Sequence, residues 1–145
     1  MLMEQITMTN LHLLSGSCLC DSIRFEIIGS MRDVIFCHCT QCRKSSGHFV
    51  AATAVDNKDF RLLQENSLKW YKSSEEAERG FCNLCGSSLF WRSFKESNIF
   101  IMAGSINGPT ELKGREHIFM SSIGDYYSIE DGLPQFDYYP PDQKE

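Results

Sequence analysis

The amino-acid sequence predicts a mainly β fold in a single domain, and three observations carry that expectation. Short runs rich in β-branched and aromatic residues recur at close spacing, separated by turn-forming residues. No long segment repeats apolar residues at helical spacing, which argues against a doubly wound α/β enzyme. Ten Phe, five Tyr and two Trp in 145 residues suit sheets packed face to face. The length matches one hydrophobic core, and 42% hydrophobic with 23% charged residues is an ordinary globular composition.

Along the chain, residues 1–13 are expected to form a flexible N-terminus and residues 14–145 the domain. The opening "MLMEQITMTNLH" carries Glu4 and neither Lys nor Arg, so it lacks the basic start and unbroken apolar run of a secretory signal. "SIRFEII" (22–28) and "DVIFC" (33–37) read as strands. "TQCRKSSG" (40–47) reads as a short helix, with Thr40 placed to cap its start and Gly47 to end it. "HFVAATAV" (48–55) reads as a buried strand, and "FRLLQ" (60–64) and "LKWYK" (68–72) flank the turn-prone "ENS". "SSLFWRS" (87–93), "NIFIMAG" (98–104) and "HIFMSS" (117–122) complete the expected strands. The tail "IEDGLPQFDYYPPDQKE" has no period and is expected to wrap the surface irregularly.

Composition also bounds the partners. A net charge of −5 argues against nucleic acid. No stretch approaches the roughly 18 consecutive apolar residues of a membrane helix. Seven cysteines cannot all pair internally, and in a reducing cytosol clustered cysteines are more often metal ligands or redox groups than bridges. A soluble cytoplasmic protein is expected; its oligomeric state is left open.

The cysteines fall into three groups: Cys18 and Cys20 in "CLC", Cys37, Cys39 and Cys42 in "CHCTQC", and Cys82 and Cys85 in "CNLC". "CNLCG" has the form of a zinc knuckle, in which Gly86 permits the tight turn. Structural zinc takes four protein ligands, whereas catalytic zinc keeps three and an open position. Seven therefore divides into a closed site on the two outlying pairs and an open site on the triplet. The alternative joins the triplet to one distant cysteine and strands two others. A third possibility is buried free thiols.

An open three-thiolate zinc would carry one net negative charge, against two for a closed tetrathiolate. Thiolates already donate much charge, so the ion is poorly suited to sharpening bound water. It can instead take an exogenous thiol as fourth ligand and hold it deprotonated. Arg43 and Lys44, directly after Cys42, could offset the charge or bind a carboxylate of that thiol; solvated charges on a short helix are the alternative.

The motifs resemble the glutathione-dependent formaldehyde-activating enzymes, also called the centromere-protein-V-like family. The matching stretches are "GSCLCDSIRFEI" (16–27), "CHCTQCRKSSG" (37–47), "SLKWYKSS" (67–74), "RGFCNLCGSSLFW" (79–91), "AGSING" (103–108), "HIF" (117–119) and "DGLPQF" (131–136), in family order. The resemblance implies a β-tent of small antiparallel sheets. It also implies one structural zinc on Cys18, Cys20, Cys82 and Cys85, and one catalytic zinc on Cys37, Cys39 and Cys42. The implied activity is carbon–sulfur lyase chemistry: glutathione, as substrate, adds to formaldehyde to give S-(hydroxymethyl)glutathione.

Two departures bear on the substrate. His48 follows Gly47 where a small residue is more typical, and could supply a fourth ligand or a steric group. Tyr126 and Tyr127 stand where a Trp is common and could reshape a pocket. His48 is the nearest proton donor in sequence. His38 points away from its cysteine neighbours if the segment is extended, and His117 reads as a satisfied core residue. Arg79 and Arg92 are candidate contacts for glutathione carboxylates, "LPQF" with the later "YYPP" is a candidate pocket rim with aromatic core as the alternative, and Gly86 and Gly104 are read as backbone requirements. The rival function is a non-catalytic zinc-binding interaction module, and redox sensing by the triplet is a further option.

Overall fold

The computed structural model describes residues 13–141. The expected flexible segment, with His12, lies outside them apart from Leu13. In chain order the described residues form β1 (Leu13–Ser17), β2 (Arg24–Ile28), β3 (Val34–Cys37), α1 (Thr40–Ser46), β4 (Val50–Asp56), β5 (Phe60–Gln64), β6 (Leu68–Lys72), β7 (Ala77–Cys82), β8 (Ser88–Ser93), β9 (Asn98–Met102) and β10 (Gly114–Ile118). Short 3₁₀ turns cover Asn57–Asp59, Ala103–Ser105 and Met120–Ser122. Among these residues no helix is long and apolar enough to cross a membrane.

The fold is mainly β, with the strands in two sheets. The smaller has the order β1-β2-β5 and the larger β10-β3-β4-β9-β8-β7-β6. All pairings are antiparallel except β3 with β10, whose connection is long enough for the crossover a parallel pair needs. The tail is more ordered than expected. The His117 N–H donates to the Pro134 carbonyl (2.9 Å) and the Phe136 N–H to the His117 carbonyl (2.9 Å), so the tail covers the β10 edge like a further strand.

Two strands escaped the sequence reading. "LLSGS" in β1 has too little alternation, and "AERGFC" in β7 carries two charges that look like loop. In the sheet those charges part: Glu78 receives Arg92 Nε at 2.7 Å, and Arg79 turns to the other face. The last strand ends earlier than expected because Phe119 adopts a left-handed conformation (φ 58°, ψ 41°) and opens a 3₁₀ turn. Helix α1 is capped by Cys39 rather than Thr40, while Gly47 closes it as expected at φ 87°.

The main core lies between the two sheets. Ile23, Phe25 and Ile27 from the smaller side meet Val55, Phe90, Ile99 and Ile101 from the larger. The rings of Phe25, Phe60 and Phe90 pack with centroids 5.3 to 5.6 Å apart, in tilted and edge-on arrangements that aromatic pairs favour.

Gly16 sits opposite Phe25 in the β1–β2 register. A Cβ there would meet the Phe25 ring at 2.1 and 2.5 Å and the Ser105 carbonyl oxygen at 2.7 Å. Gly16→Ala is expected to cost roughly 1–3 kcal/mol by overpacking, read as a lower urea midpoint at unchanged slope.

Candidate metal centres

The two outlying cysteine pairs meet. Cys18 and Cys20 lie on the turn after β1, and Cys82 and Cys85 on the turn that ends β7; the four sulfurs all lie within 4.8 Å of one another. Four sulfurs placed tetrahedrally at about 2.3 Å from one zinc lie roughly 3.8 Å apart. Cys18 to Cys20 is 3.7 Å and Cys20 to Cys82 is 3.8 Å. Gly86, at φ 82°, makes the tight turn and returns its N–H to the Cys82 carbonyl at 2.8 Å.

Donors surround these sulfurs. The Leu84 and Cys85 N–H groups each point at Cys82 Sγ from 3.4 Å, and the Ile23 N–H at Cys18 Sγ from 3.3 Å. The hydroxyls of Ser22 and Ser67 lie 3.3 Å from Cys82 Sγ, and that of Ser87 lies 3.1 Å from Cys85 Sγ. Burial pushes the Cys82 thiol up, but these hydroxyls and N–H groups outweigh it and hold it at about 5. The Ser87 hydroxyl and N–H hold Cys85 at about 7. Donors that stabilise thiolate prepare the cluster for a cation.

The triplet forms a second, local cluster. Cys37 ends β3, Cys39 caps α1 and Cys42 lies in its first turn, with the three sulfurs within 4.8 Å of one another. Among the described residues no His, Asp or Glu adds a fourth ligand atom to this group. Hydrogen bonds from the Cys37 and Cys42 thiols, with the N–H groups of Cys42 and Gln41, hold Cys39 well below the ordinary thiol range. The complementary interactions push Cys37 up.

Strand register determines what lies beside the trio. Cys37 pairs with Val50, and a cross-strand row runs from Arg79 through Trp91 and Phe100 to Ala54. These positions share the face of the larger sheet that turns away from the main core. Cys37, Cys39, Phe100 and Met102 pack there around Cys42, Val50 and Ala52. Arg79, 9% exposed, donates through Nη2 to Cys42 Sγ at 3.8 Å and to Gln41 Oε1 at 3.4 Å. From the tail, the Tyr139 phenol is pushed up by burial and then by the charges of Cys37, Cys39 and Cys42. The contribution of Gln41 has no motif signal, because it depends on the unrecognised strand β7.

Other expected residues are engaged elsewhere. Arg43 Nε donates to the Ser122 carbonyl at 3.1 Å, and Lys44 is exposed. Arg92 pairs with Glu78 and lies 3.7 Å over the Trp70 ring. His48 is exposed and bonds Tyr126 through Nδ1 at 2.8 Å. Gly104 has open space around it and no positive φ, so the expected backbone requirement is absent there.

His38 does point away from its cysteine neighbours, into a buried chain. Its Nδ1 meets the Tyr127 hydroxyl at 2.5 Å, its Nε2 meets His117 Nδ1 at 2.9 Å, and His117 Nε2 meets Asp131 at 2.8 Å. Both imidazoles are essentially inaccessible. Burial first, and then the charge of His117, hold His38 down at about 4. The chain ties β3 and β10 to Tyr127 just before the tail and to Asp131 within it. His117→Phe is expected to leave His38 Nε2 without a partner and to cost about 1–3 kcal/mol, measured by chemical denaturation of the metal-loaded protein.

A crystal structure of a Rhodobacter sphaeroides protein superposes with a TM-score of 0.54 at 20% identity, covering 69% of this chain and 98% of its own; that likeness concerns the fold. An uncharacterized lyase of Schizosaccharomyces pombe is 27% identical over 123 residues, 83% of this chain and 88% of the relative. The family model described as glutathione-dependent formaldehyde-activating enzyme matches residues 13–122, more than half of the sequence and including all seven cysteines, and the chain belongs to that family.

Proposed function

We propose that the protein adds a small thiol, glutathione, to an aldehyde such as formaldehyde, giving S-(hydroxymethyl)glutathione; in reverse this is a carbon–sulfur lyase reaction. The observation that carries the reading is the sulfur trio, which draws in no fourth ligand atom among the described residues. Family membership and the lyase name of the fission-yeast relative support it.

The domain is assigned to residues 14–145, with two zinc ions per chain. Cys18, Cys20, Cys82 and Cys85 would hold the structural ion; the sulfur spacing and surrounding donors fit it. Cys37, Cys39 and Cys42 would hold the catalytic one. Zinc bound by three thiolates supplies an open position at which an incoming thiol is held as thiolate near neutral pH.

This chain's own residues do the rest. The trio fixes the place of the incoming sulfur. Phe100 and Met102, half-buried beside it, keep water from one side, with Trp91 packed on the Phe100 ring. Lys44 and the terminal nitrogens of Arg43 are assigned to glutathione carboxylates. In the balanced step the thiol loses its proton, sulfur bonds to the carbonyl carbon, and the carbonyl oxygen takes up a proton. Orientation and thiolate fraction supply the acceleration. The working compartment is the reducing, glutathione-containing cytoplasm.

Metal analysis is expected to return two zinc ions per chain. Cys42→Ser should lose one and keep a cooperative melt, whereas Cys82→Ser should lose the melt, because Cys82 is fully buried in the main core. Adduct formation, followed by NMR with the spontaneous rate subtracted, is expected to fall at least about tenfold in Cys39→Ser. Wild-type turnover in that variant would refute the catalytic assignment. A protein with both metals bound and no response to any thiol would be an interaction module.

A further inference from the structure

We propose that Arg79 is a specificity-determining residue of the sulfur trio: its buried guanidinium supplies the charge that makes the open position prefer an anionic sulfur to a neutral ligand. The inference rests on the thiol-docking reading above and names the group that enforces it.

The argument begins with an unbalanced charge. Arg79 is 9% exposed, and among the described residues no Asp or Glu forms an ion pair with it. Arg24, Lys58, Arg61, Lys72 and Arg92, all more exposed, each have a carboxylate partner. A buried guanidinium without a counter-charge is strongly unfavourable. The nearest group that could offset it is the sulfur of Cys42, 3.8 Å from Nη2, which would be a thiolate with the ion bound. The other contact, Gln41 Oε1, is neutral and orients the fork.

The backbone makes this placement hard to avoid. Arg79 pairs with Trp91, and Trp91 with Phe100, so the row delivers the guanidinium to the face on which Cys37, Cys39 and Cys42 gather. The opposite neighbour on the strand, Glu78, belongs to the other face and is taken by Arg92.

The consequence is electrostatic. Three thiolates around a divalent cation carry one net negative charge, and a fourth thiolate would make two. With Arg79 included, the first state is neutral and the second carries a single charge. At a separation of a few ångströms in partly apolar surroundings, that difference is large compared with thermal energy. A neutral fourth ligand gains nothing comparable.

The test compares two small ligands at the cobalt-loaded holoprotein. 2-Mercaptoethanol binds as an anion and has no carboxylate; imidazole binds neutral. Both are titrated by the visible absorption of the cobalt centre. Arg79→Gln is expected to weaken 2-mercaptoethanol at least about tenfold while imidazole changes less than twofold, and Arg79→Lys should restore the preference. Gln41→Glu, which places a carboxylate against the guanidinium from an exposed position, should weaken the thiol in the same direction and guards against misfolding of the Arg79 variants. Unchanged thiol-to-imidazole ratios in Arg79→Gln or Gln41→Glu would overturn the proposal while leaving thiol docking intact. Failure of wild type to bind 2-mercaptoethanol at all would overturn the docking reading, and this proposal with it.

Discussion

Four sulfur atoms from two turns must share one small volume, and much of the structure exists to let them. Cys20 and Cys82 stand 62 positions apart, yet their sulfurs are 3.8 Å from each other. Bringing them together joins the end of β1 in the small sheet to the end of β7 in the large one. Thiolates repel at that distance unless donors and a cation offset them. The serine hydroxyls and backbone N–H groups around Cys82 and Cys85 provide the first part of that compensation. Cys18 and Cys82 belong to the same core cluster as Phe25 and Phe90, with Phe60 packed against it, so the sulfur cluster and the aromatic core adjoin.

The larger sheet then separates two tasks by the alternation of its side chains. One face of β4, β8 and β9 carries Val55, Phe90, Ile99 and Ile101 into the core. The other carries Phe100 and Met102 to the cysteine trio. Residues adjacent in sequence therefore serve unrelated purposes. His38 stands between two cysteines of the trio but belongs to a buried hydrogen-bonded chain, and Arg92 beside Trp91 stays with Glu78. A one-residue slip of β7 would move Arg79 from the trio to the opposite face.

The legible parts of this molecule were those with local signals. The cysteine spacings announced both clusters and their division, and the knuckle glycine Gly86 was recognisable from its place after "CNLC". Eight of the ten strands stood out through β-branched and aromatic runs, the last of them displaced toward the C-terminus. What stayed hidden depended on pairing. Strand β7 looked polar because Glu78 and Arg79 are neighbours in sequence, although the sheet sends them to opposite sides. The association of Arg79 with Cys42 required the β7–β8 register, which no local pattern specifies. The edge-covering role of the tail likewise comes from carbonyl and N–H partners on β10, not from any periodicity of "LPQFDYYPP".

Cys39 holds two posts at once. Its sulfur accepts the Cys42 N–H at 3.3 Å as the cap of α1 and also belongs to the trio. A seven-residue helix has little stability of its own, so its first turn depends on whatever keeps that sulfur anionic and in place. An ion held by the trio would therefore also hold the first turn of this helix. Alkylating Cys39 would remove one sulfur of the trio and the cap of the peptide that presents Cys42, so damage at one atom would spread to its neighbours.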